Sequence, residues 1–193
     1  MSGPQRISGI ADAEAPTWLG LLFRLQRRIY GTVLEPTRVW ARAPAALRGF
    51  IHLFRAVDRA ASPLDAGLRS LVMVRVSHLN GCAYCVDINA STLESRGVRL
   101  EKALALEEHE TSGLFDARER AALRFADQMT RTGSSVDDDA FEALRRQFDD
   151  AQIVELTALV ALQNASSKFN AALRIPAQGF CPAVSGPRGA APS

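Results

Sequence analysis

The pair Cys82 and Cys85 offers the clearest chemistry in this sequence, because two thiols three positions apart can form and break a disulfide. The pair lies in segment 80–85, Asn-Gly-Cys-Ala-Tyr-Cys, in which Asn-Gly interrupts one pattern and a new helix is expected to begin. Backbone N–H groups at a helix start favour negative charge, which should lower the pKa of a cysteine in the first turn. The two thiols also lie near one face of that helix. The motif therefore predicts a redox-active dithiol.

Two other interpretations of this cysteine pair remain open. The first is half of a zinc site, in which His78 lies four residues before Cys82. A structural zinc site takes four ligands, and the sequence has neither a second CxxC nor a close pair of histidines. The fourth ligand would have to be His52, His109 or Cys181. The second interpretation is two buried cysteines that act only as small apolar side chains.

Several neighbouring side chains could assist a dithiol. Histidine is the side chain whose ordinary pKa lies near 7, so His78 is a candidate base, although the Asn-Gly break after it makes a structural, hydrogen-bonded histidine the simpler interpretation. Tyr84 can donate a hydrogen bond to a peroxide or a thiolate, or pack in the core. Asp87 lies on another helical face from Cys85 and is expected to be solvated. Cys181 follows the last helix, where we expect an inert or exposed thiol in preference to a third redox partner.

Helical elements are expected on both sides of the dithiol. Apolar residues at helical spacing predict a helix over 18–29, and Pro36 ends this pattern. Residues 64–79 are apolar nearly all round, which is typical of a buried helix. A further helix is expected from 82 to 95, ended by Gly97.

The later helix starts are marked by acidic residues, which suit the positive end of the helix dipole. They are Asp116 with Glu119 in a capping-box pattern, the run 137–139, and Asp149 or Asp150. No segment requires a β-strand, so the sequence predicts an all-α, single-domain helical bundle. Its expected bounds are 16–182, with a flexible N-terminus over 1–15 and a disordered tail over 183–193.

Composition argues against several classes of protein. A formal net charge of +2, without a basic stripe interleaved with aromatic residues, gives no reason to expect nucleic-acid binding. No apolar run approaches the roughly 20 residues that span a bilayer, and no signal-peptide pattern is visible. Three cysteines are too few for a secreted disulfide framework. We therefore expect a cytoplasmic protein without membrane contact.

Residues 68–89 carry a resemblance to a known family. The segment reads Leu-Arg-Ser-Leu-Val-Met-Val-Arg-Val-Ser-His-Leu-Asn-Gly-Cys-Ala-Tyr-Cys-Val-Asp-Ile-Asn. It resembles the core of alkylhydroperoxidase D-like proteins, which carry an apolar helix, then Asn-Gly-Cys-x-Tyr/Phe-Cys, then three residues and a histidine. Segments 118–123 and 164–170 are similar to those of the larger carboxymuconolactone decarboxylase-like proteins. The likeness covers residues 16–182.

The resemblance implies an all-helical fold, assembly as a homotrimer or homohexamer, and reduction of small-molecule peroxides through the dithiol. It implies that Cys85 attacks the peroxide and Cys82 resolves the product, and that a partner dithiol protein or a small thiol then reduces the disulfide. No metal, flavin or nucleotide cofactor is expected. The decarboxylase branch of the superfamily works without the CxxC, so the dithiol favours the redox branch.

Two positions depart from the family pattern. Redox members use a glutamate twelve residues before the first cysteine, where this chain has Ser70, and a histidine four residues after the second, where it has Asn89. Serine is no base near neutral pH, and an amide cannot accept a proton, so the usual proton relay is absent. Asn89 can still hydrogen-bond a thiolate or orient a water molecule.

Three functions follow as hypotheses. The first is a thiol-dependent peroxidase or dithiol–disulfide oxidoreductase, with weak activity near pH 7. The second is a non-catalytic or redox-sensing member of the fold whose relay has degenerated. The third is a carboxymuconolactone decarboxylase-like acid–base enzyme, which would survive the loss of both cysteines.

Overall fold

The computed structural model describes residues 3–185, and the side chains up to residue 183. In chain order, the helices are α1 (Thr17–Tyr30), α2 (Glu35–Trp40), α3 (Pro44–Val57), α4 (Ala66–Leu79), α5 (Ala83–Ala90), α6 (Leu100–Leu104), α7 (Ala117–Thr130), α8 (Asp138–Arg145), α9 (Asp150–Ala172) and α10 (Pro182–Ser185). Single 3₁₀ turns occur at Asp12–Glu14, Glu94–Arg96 and Leu106–Glu108. No β-strand occurs within 3–185, which confirms the all-α prediction.

Helix α4 is the buried centre of the fold. Asp65 caps its N-terminus by accepting the backbone N–H of Leu68 at 3.1 Å. The helix is buried from Gly67 to Ser77, on every face, because α5, α7 and α9 pack around it. The apolar run predicted to be a buried helix is therefore one, and its last turn leads directly into the dithiol.

Helix α9 is the longest helix and forms one wall of the core. Asp149 starts it with a capping box, accepting the N–H of Gln152 while the Gln152 side chain accepts the N–H of Asp149. The helix packs against α3, α4, α5, α7 and α8. Even so, none of the helices within 3–185 has the length and apolarity needed to cross a membrane.

Helix α5 is shorter than the sequence suggests. The prediction of a helix from 82 to 95 is wrong beyond Ala90, where turns and a 3₁₀ segment follow. The Ser91 hydroxyl donates to the Ile88 carbonyl and the Thr92 hydroxyl to the Asn89 carbonyl. Such side chains offer the backbone an alternative to the next helical hydrogen bonds. The chain is finally redirected at Gly97, which adopts a φ of 77°.

The break between α1 and α2 also differs from expectation. Gly31, with a φ of 75°, ends α1 in the left-handed conformation, and its N–H bonds the Arg27 carbonyl. Pro36 does not end the first helix; it lies in the first turn of α2, where a missing N–H costs nothing.

The described part of the N-terminal segment lies against the helical domain. Arg6 donates its backbone N–H to Leu173 at 3.0 Å, and Ile10 donates to Arg38 at 3.1 Å. The Arg38 side chain in turn bonds Asp12 at 2.7 Å. These contacts join the middle of the segment predicted to be flexible to the helical domain. Of the tail predicted to be disordered, 183–185 belong to α10 and 186–193 lie outside the described residues.

Candidate dithiol site

Cys82 and Cys85 lie where α5 begins and are joined by a disulfide, with their Cα atoms 5.3 Å apart. Cys82 is the N-cap residue, and its sulfur accepts the backbone N–H of Cys85 at 3.1 Å. Each cysteine is only 2% exposed. Within residues 3–185 no group of three or more His, Cys, Asp or Glu side chains could hold a metal. The geometry is therefore that of a dithiol that can close on itself.

The turn before the dithiol is held by α9. Asn80 donates its amide N–H groups to Asn164 at 2.9 Å and to Ser167 at 2.8 Å. Gly81 then adopts a φ of 62°, a conformation that favours glycine, and this reverses the chain between α4 and α5. The Asn-Gly pair read from the sequence thus has two separate tasks, anchoring and turning, and together they position Cys82.

The dithiol is enclosed by apolar and aromatic side chains. Its own cluster contains the following buried residues: Val39, Tyr84 and Ile175. Phe169 and Phe180 pack against this cluster from α9 and from the segment after it. Trp40 stacks on Phe169 with ring centroids 3.9 Å apart. Such surroundings disfavour a charged sulfur unless hydrogen bonds stabilise it.

One amide reaches the second sulfur. Asn170, in the last turn of α9, donates from Nδ2 to the Cys85 sulfur at 3.2 Å and is 2% exposed. Sequence reasoning gave Asn170 no role. The available signal was an amide on an otherwise apolar helix, but nothing local shows that it faces Cys85, 85 positions away.

The two relay positions lie in a network of neutral groups. Ser70 is fully buried, and its hydroxyl is 3.4 Å from that of Thr92, which donates to the Asn89 carbonyl at 2.9 Å. The Asn89 side chain donates to Ser77 at 3.2 Å, and Gln163 donates to the same hydroxyl at 3.0 Å. Asn89 is thus engaged with Ser77, whereas the amide on the Cys85 sulfur comes from Asn170. None of these hydroxyls and amides can serve as a base near neutral pH.

Tyr84 lies inside the dithiol cluster and is 4% exposed. Burial raises the pKa of Tyr84 far above its ordinary value, and the nearby Tyr30, Asp87 and Glu35 raise it further. The phenol therefore stays protonated at all physiological pH values and can act only as a hydrogen-bond donor or as a packing group.

His78 occupies the last turn of α4 and is half-buried. Its carbonyl accepts the N–H of Gly81 at 3.0 Å, within the turn that ends the helix. His78 and Cys82 are therefore separated by a chain reversal and do not share one helical face. This geometry agrees with the expectation that the Asn-Gly break interrupts the alignment of the two residues.

Asp87 is buried, and the prediction of a solvated side chain is wrong. Its carboxylate is fully shielded and accepts three backbone N–H groups: from Gln178 at 2.9 Å, from Gly179 at 2.8 Å and from Cys181 at 2.6 Å. These bonds compensate the cost of burying the charge. They also hold residues 175–182, here called the C-terminal strap, across α5, with Phe180 against the dithiol cluster.

Cys181 lies in this C-terminal strap. It is half-buried, and its side chain packs against the central core, not within the cluster around the disulfide. The expectation of an exposed thiol is therefore met only in part.

Known proteins resemble this chain in sequence and in fold. The model of the carboxymuconolactone decarboxylase family matches residues 44–128. The uncharacterised protein YnjA of Escherichia coli K12 is 41% identical over 157 residues, which cover 81% of this chain and 86% of YnjA. The alkylhydroperoxidase AhpD core of an uncharacterised peroxidase-related protein from Ralstonia eutropha JMP134 superposes with a TM-score of 0.82 at 22% identity, over 95% of this chain and 98% of that one. The debrominase Bmp8 superposes with a TM-score of 0.80 at 23% identity, over 93% and 95%.

Proposed function

The chain belongs to the alkylhydroperoxidase D-like and carboxymuconolactone decarboxylase superfamily, and on that premise we propose that it is a dithiol enzyme that reduces peroxides through Cys82 and Cys85. The observation that carries the proposal is the pairing of these two sulfurs at the N-terminus of α5. A helix start favours a thiolate, and the bonded pair is the state that one round of peroxide reduction would leave.

The proposed reaction has three balanced steps. The Cys85 thiolate attacks the hydroxyl oxygen of a hydroperoxide, the O–O bond breaks, and an alkoxide leaves that takes a proton from water. Cys85 is then a sulfenic acid, with which the Cys82 thiol condenses to form the disulfide and release water. A partner dithiol donates two electrons and two protons to the disulfide, restoring both thiols and becoming a disulfide itself.

The absence of the proton relay lowers the rate that we expect for the first step, in which the thiolate attacks the hydroperoxide. General-base assistance is worth about 10²–10⁴-fold, and the groups at positions 70 and 89 cannot provide it. The backbone N–H of Cys85 donates to the Cys82 sulfur and stabilises a negative charge there. The apolar surroundings destabilise a negative charge on either sulfur. We therefore expect slow turnover near pH 7 that rises as the attacking thiol ionises.

A second candidate is thiol-dependent reduction of a halogenated aromatic compound. It is favoured by Phe169 and Phe180, which pack against the dithiol cluster, and by Trp40, which stacks on Phe169. The structural relative Bmp8 is a debrominase, a variant of which was solved with 2,3,4-tribromopyrrole. In such a reaction the two thiols would supply two electrons and a proton to carbon, and the halide would leave as its acid.

The test measures consumption of hydrogen peroxide and of an organic hydroperoxide in the presence of excess small dithiol. Wild type should turn over and Cys85→Ser should not, whereas Cys82→Ser should form a Cys85 sulfenic acid that only the added dithiol can resolve. Mass spectrometry of wild type should show the peptide carrying both cysteines lighter by two protons after oxidation. Oxidation of the pair without turnover would favour the redox-sensing alternative. Loss of a halogenated pyrrole in place of peroxide would favour the second candidate. Decarboxylation of carboxymuconolactone by the double variant Cys82→Ser with Cys85→Ser would favour the decarboxylase-like acid–base alternative.

A further inference from the structure

The side chain of Asn170 is set between α9 and the second sulfur of the dithiol. Its Nδ2 lies 3.2 Å from the Cys85 sulfur, and its backbone carbonyl accepts the N–H of Ile175 at 3.0 Å, which fixes the end of the helix. Asn170 and Cys85 are each 2% exposed. The backbone of Asn170 is therefore fixed at the end of the helix, and its amide is shielded from most of the solvent.

The oxygen atom of the same side-chain amide lacks a hydrogen bond within the described part of the chain. Asn170 Oδ1 is buried and has no hydrogen-bond partner among the described residues. Buried polar atoms are nearly always paired, so an acceptor left open beside a reactive sulfur requires an explanation. A ligand with an O–H group at the sulfur would supply the missing donor.

The two sulfurs are served by different kinds of donor. Cys82 accepts a backbone N–H from the first turn of its own helix, whereas Cys85 accepts a side-chain N–H from a helix distant in sequence. A hydrogen bond to a thiolate favours the charged form and lowers the pKa of the thiol. The donor from Asn170 therefore acts on the cysteine that is expected to attack, and it opposes the effect of the apolar surroundings.

We propose that Asn170 is a catalytic residue of this dithiol. Its Nδ2 stabilises the Cys85 thiolate, and its Oδ1 accepts a hydrogen bond from the hydroxyl group of an incoming hydroperoxide. The assignment rests on the proposed function. No proton passes to the amide: the thiolate attacks the hydroxyl oxygen, the O–O bond breaks, and the hydrogen remains on that oxygen in the sulfenic acid while bonded to Oδ1. The substrate class is then a hydroperoxide, since a peroxide without a hydroxyl hydrogen cannot satisfy Oδ1.

The role of Nδ2 is tested in a Cys82→Ser, Cys181→Ser background, in which Cys85 is the one cysteine of the sequence that remains to be titrated. Ultraviolet absorbance of the thiolate, followed against pH, should show a pKa higher by about one unit or more in Asn170→Asp and Asn170→Leu, which corresponds to about tenfold less thiolate at neutral pH. Thr157→Val is the control, because it removes another side-chain hydrogen bond of α9, to the Ile153 carbonyl. Its Cys85 pKa should not change. An unchanged Cys85 pKa in Asn170→Leu, or in Asn170→Ala if Asn170→Leu unfolds, would overturn this role; the carboxylate of Asn170→Asp raises that pKa by charge repulsion alone.

The role of Oδ1 is tested in the same background at a pH where the thiol is fully ionised. Asn170→Leu should then react with hydrogen peroxide at least about tenfold more slowly than the parent, yet react with iodoacetamide at the parent rate, because alkylation needs no acceptor for a hydroxyl hydrogen. Equal slowing of both reactions, or of neither, would overturn this role. Thermal unfolding of each variant identifies loss of fold, and Asn170→Ala, which also removes the acceptor oxygen, replaces Asn170→Leu if the latter unfolds.

Failure of the proposed function gives a different result. If the parent protein with both cysteines consumes no hydroperoxide, the peroxidase proposal and the role of Oδ1 both fall. The titration still decides whether Nδ2 stabilises the Cys85 thiolate, because it requires no substrate.

Discussion

Asp87 and Cys181 are joined by a 2.6 Å hydrogen bond from the backbone N–H of Cys181 to the Asp87 carboxylate. The bond ties the C-terminal strap to the helix that carries the dithiol. Two more backbone N–H groups of the strap reach the same carboxylate. The buried carboxylate of Asp87 thus holds the strap in its position over the dithiol.

Replacing that charge should loosen the strap. In Asp87→Asn, one acceptor oxygen becomes an N–H group facing backbone donors, so we expect a loss of about 2–4 kcal/mol in the free energy of unfolding, measured by urea denaturation. Alkylation of reduced Cys82 and Cys85 should also become faster. Asp139→Asn is the control, since Asp139 is exposed at the start of α8. Wild-type stability and alkylation rates in Asp87→Asn would contradict the role assigned to this carboxylate.

Restoring the relay should raise activity at neutral pH. The double variant Ser70→Glu with Asn89→His introduces the two ionisable groups that redox members of the family carry, and peroxide turnover at pH 7 should increase by about 10²-fold. Ser70→Glu alone should destabilise the protein, because its carboxylate would be buried without a partner of opposite charge. Initial rates from about pH 6 to 9 test this: wild type should rise with pH, and the double variant should be flatter.

His78→Ala separates a structural histidine from a substitute base. Because the turn at Gly81 separates His78 from Cys82, we expect the peroxide rate and its pH profile to change little. A large loss of rate at pH 7, with the fold retained, would identify His78 as the proton acceptor. A wild-type rate that is already high and flat below pH 7 would show that another group has that role.

Much of the fold could be predicted from local patterns, whereas the contacts that distant parts of the chain make with the site could not. Asp116, Asp137 and Asp149 cap their helices as their sequence positions indicate, because N-caps act within three residues. The dithiol is equally local. The partners of Asp87 and Asn170, in contrast, lie more than 80 positions away in sequence, and only the packing of α5 against α9 and the strap brings them together.

Acid should weaken the protein through Asp58. Burial alone would raise the pKa of Asp58, but hydrogen bonds from Arg96 and Arg69 outweigh it and lower the pKa below its ordinary value. The stabilisation is therefore fully present above the unfolded-state pKa, near about 3.9, and is lost as the pH falls through the lower folded-state value. Urea unfolding at pH 7, 4 and 3 should show this decline, and Asp58→Asn should be less stable at pH 7 yet lose less on acidification.

We expect an apolar stripe on α1 to pack against another copy of the chain in the predicted homotrimer or homohexamer. Leu21, Leu25 and Ile29 recur at helical spacing and are 56%, 48% and 61% exposed in the isolated chain. Light scattering at micromolar concentration should therefore give a mass well above 20.9 kDa. Leu25→Glu with Ile29→Glu should shift the protein toward the monomer, whereas Arg24→Glu, an added negative charge on the same helix, should not. A mass of 20.9 kDa for the wild type would contradict the predicted homotrimer or homohexamer.

The near-complete enclosure of the disulfide has a kinetic consequence. With each cysteine 2% exposed, we expect a reducing dithiol to reach either sulfur only after the strap or its neighbours move aside. The reduction step is then conformationally gated. Its rate increases with the concentration of the reductant until it equals the rate at which the strap opens, and above that concentration it is zero order in reductant. The ceiling should be the same for chemically different dithiols and should rise in Asp87→Asn, because the side chain that holds the strap limits the rate of the reduction step.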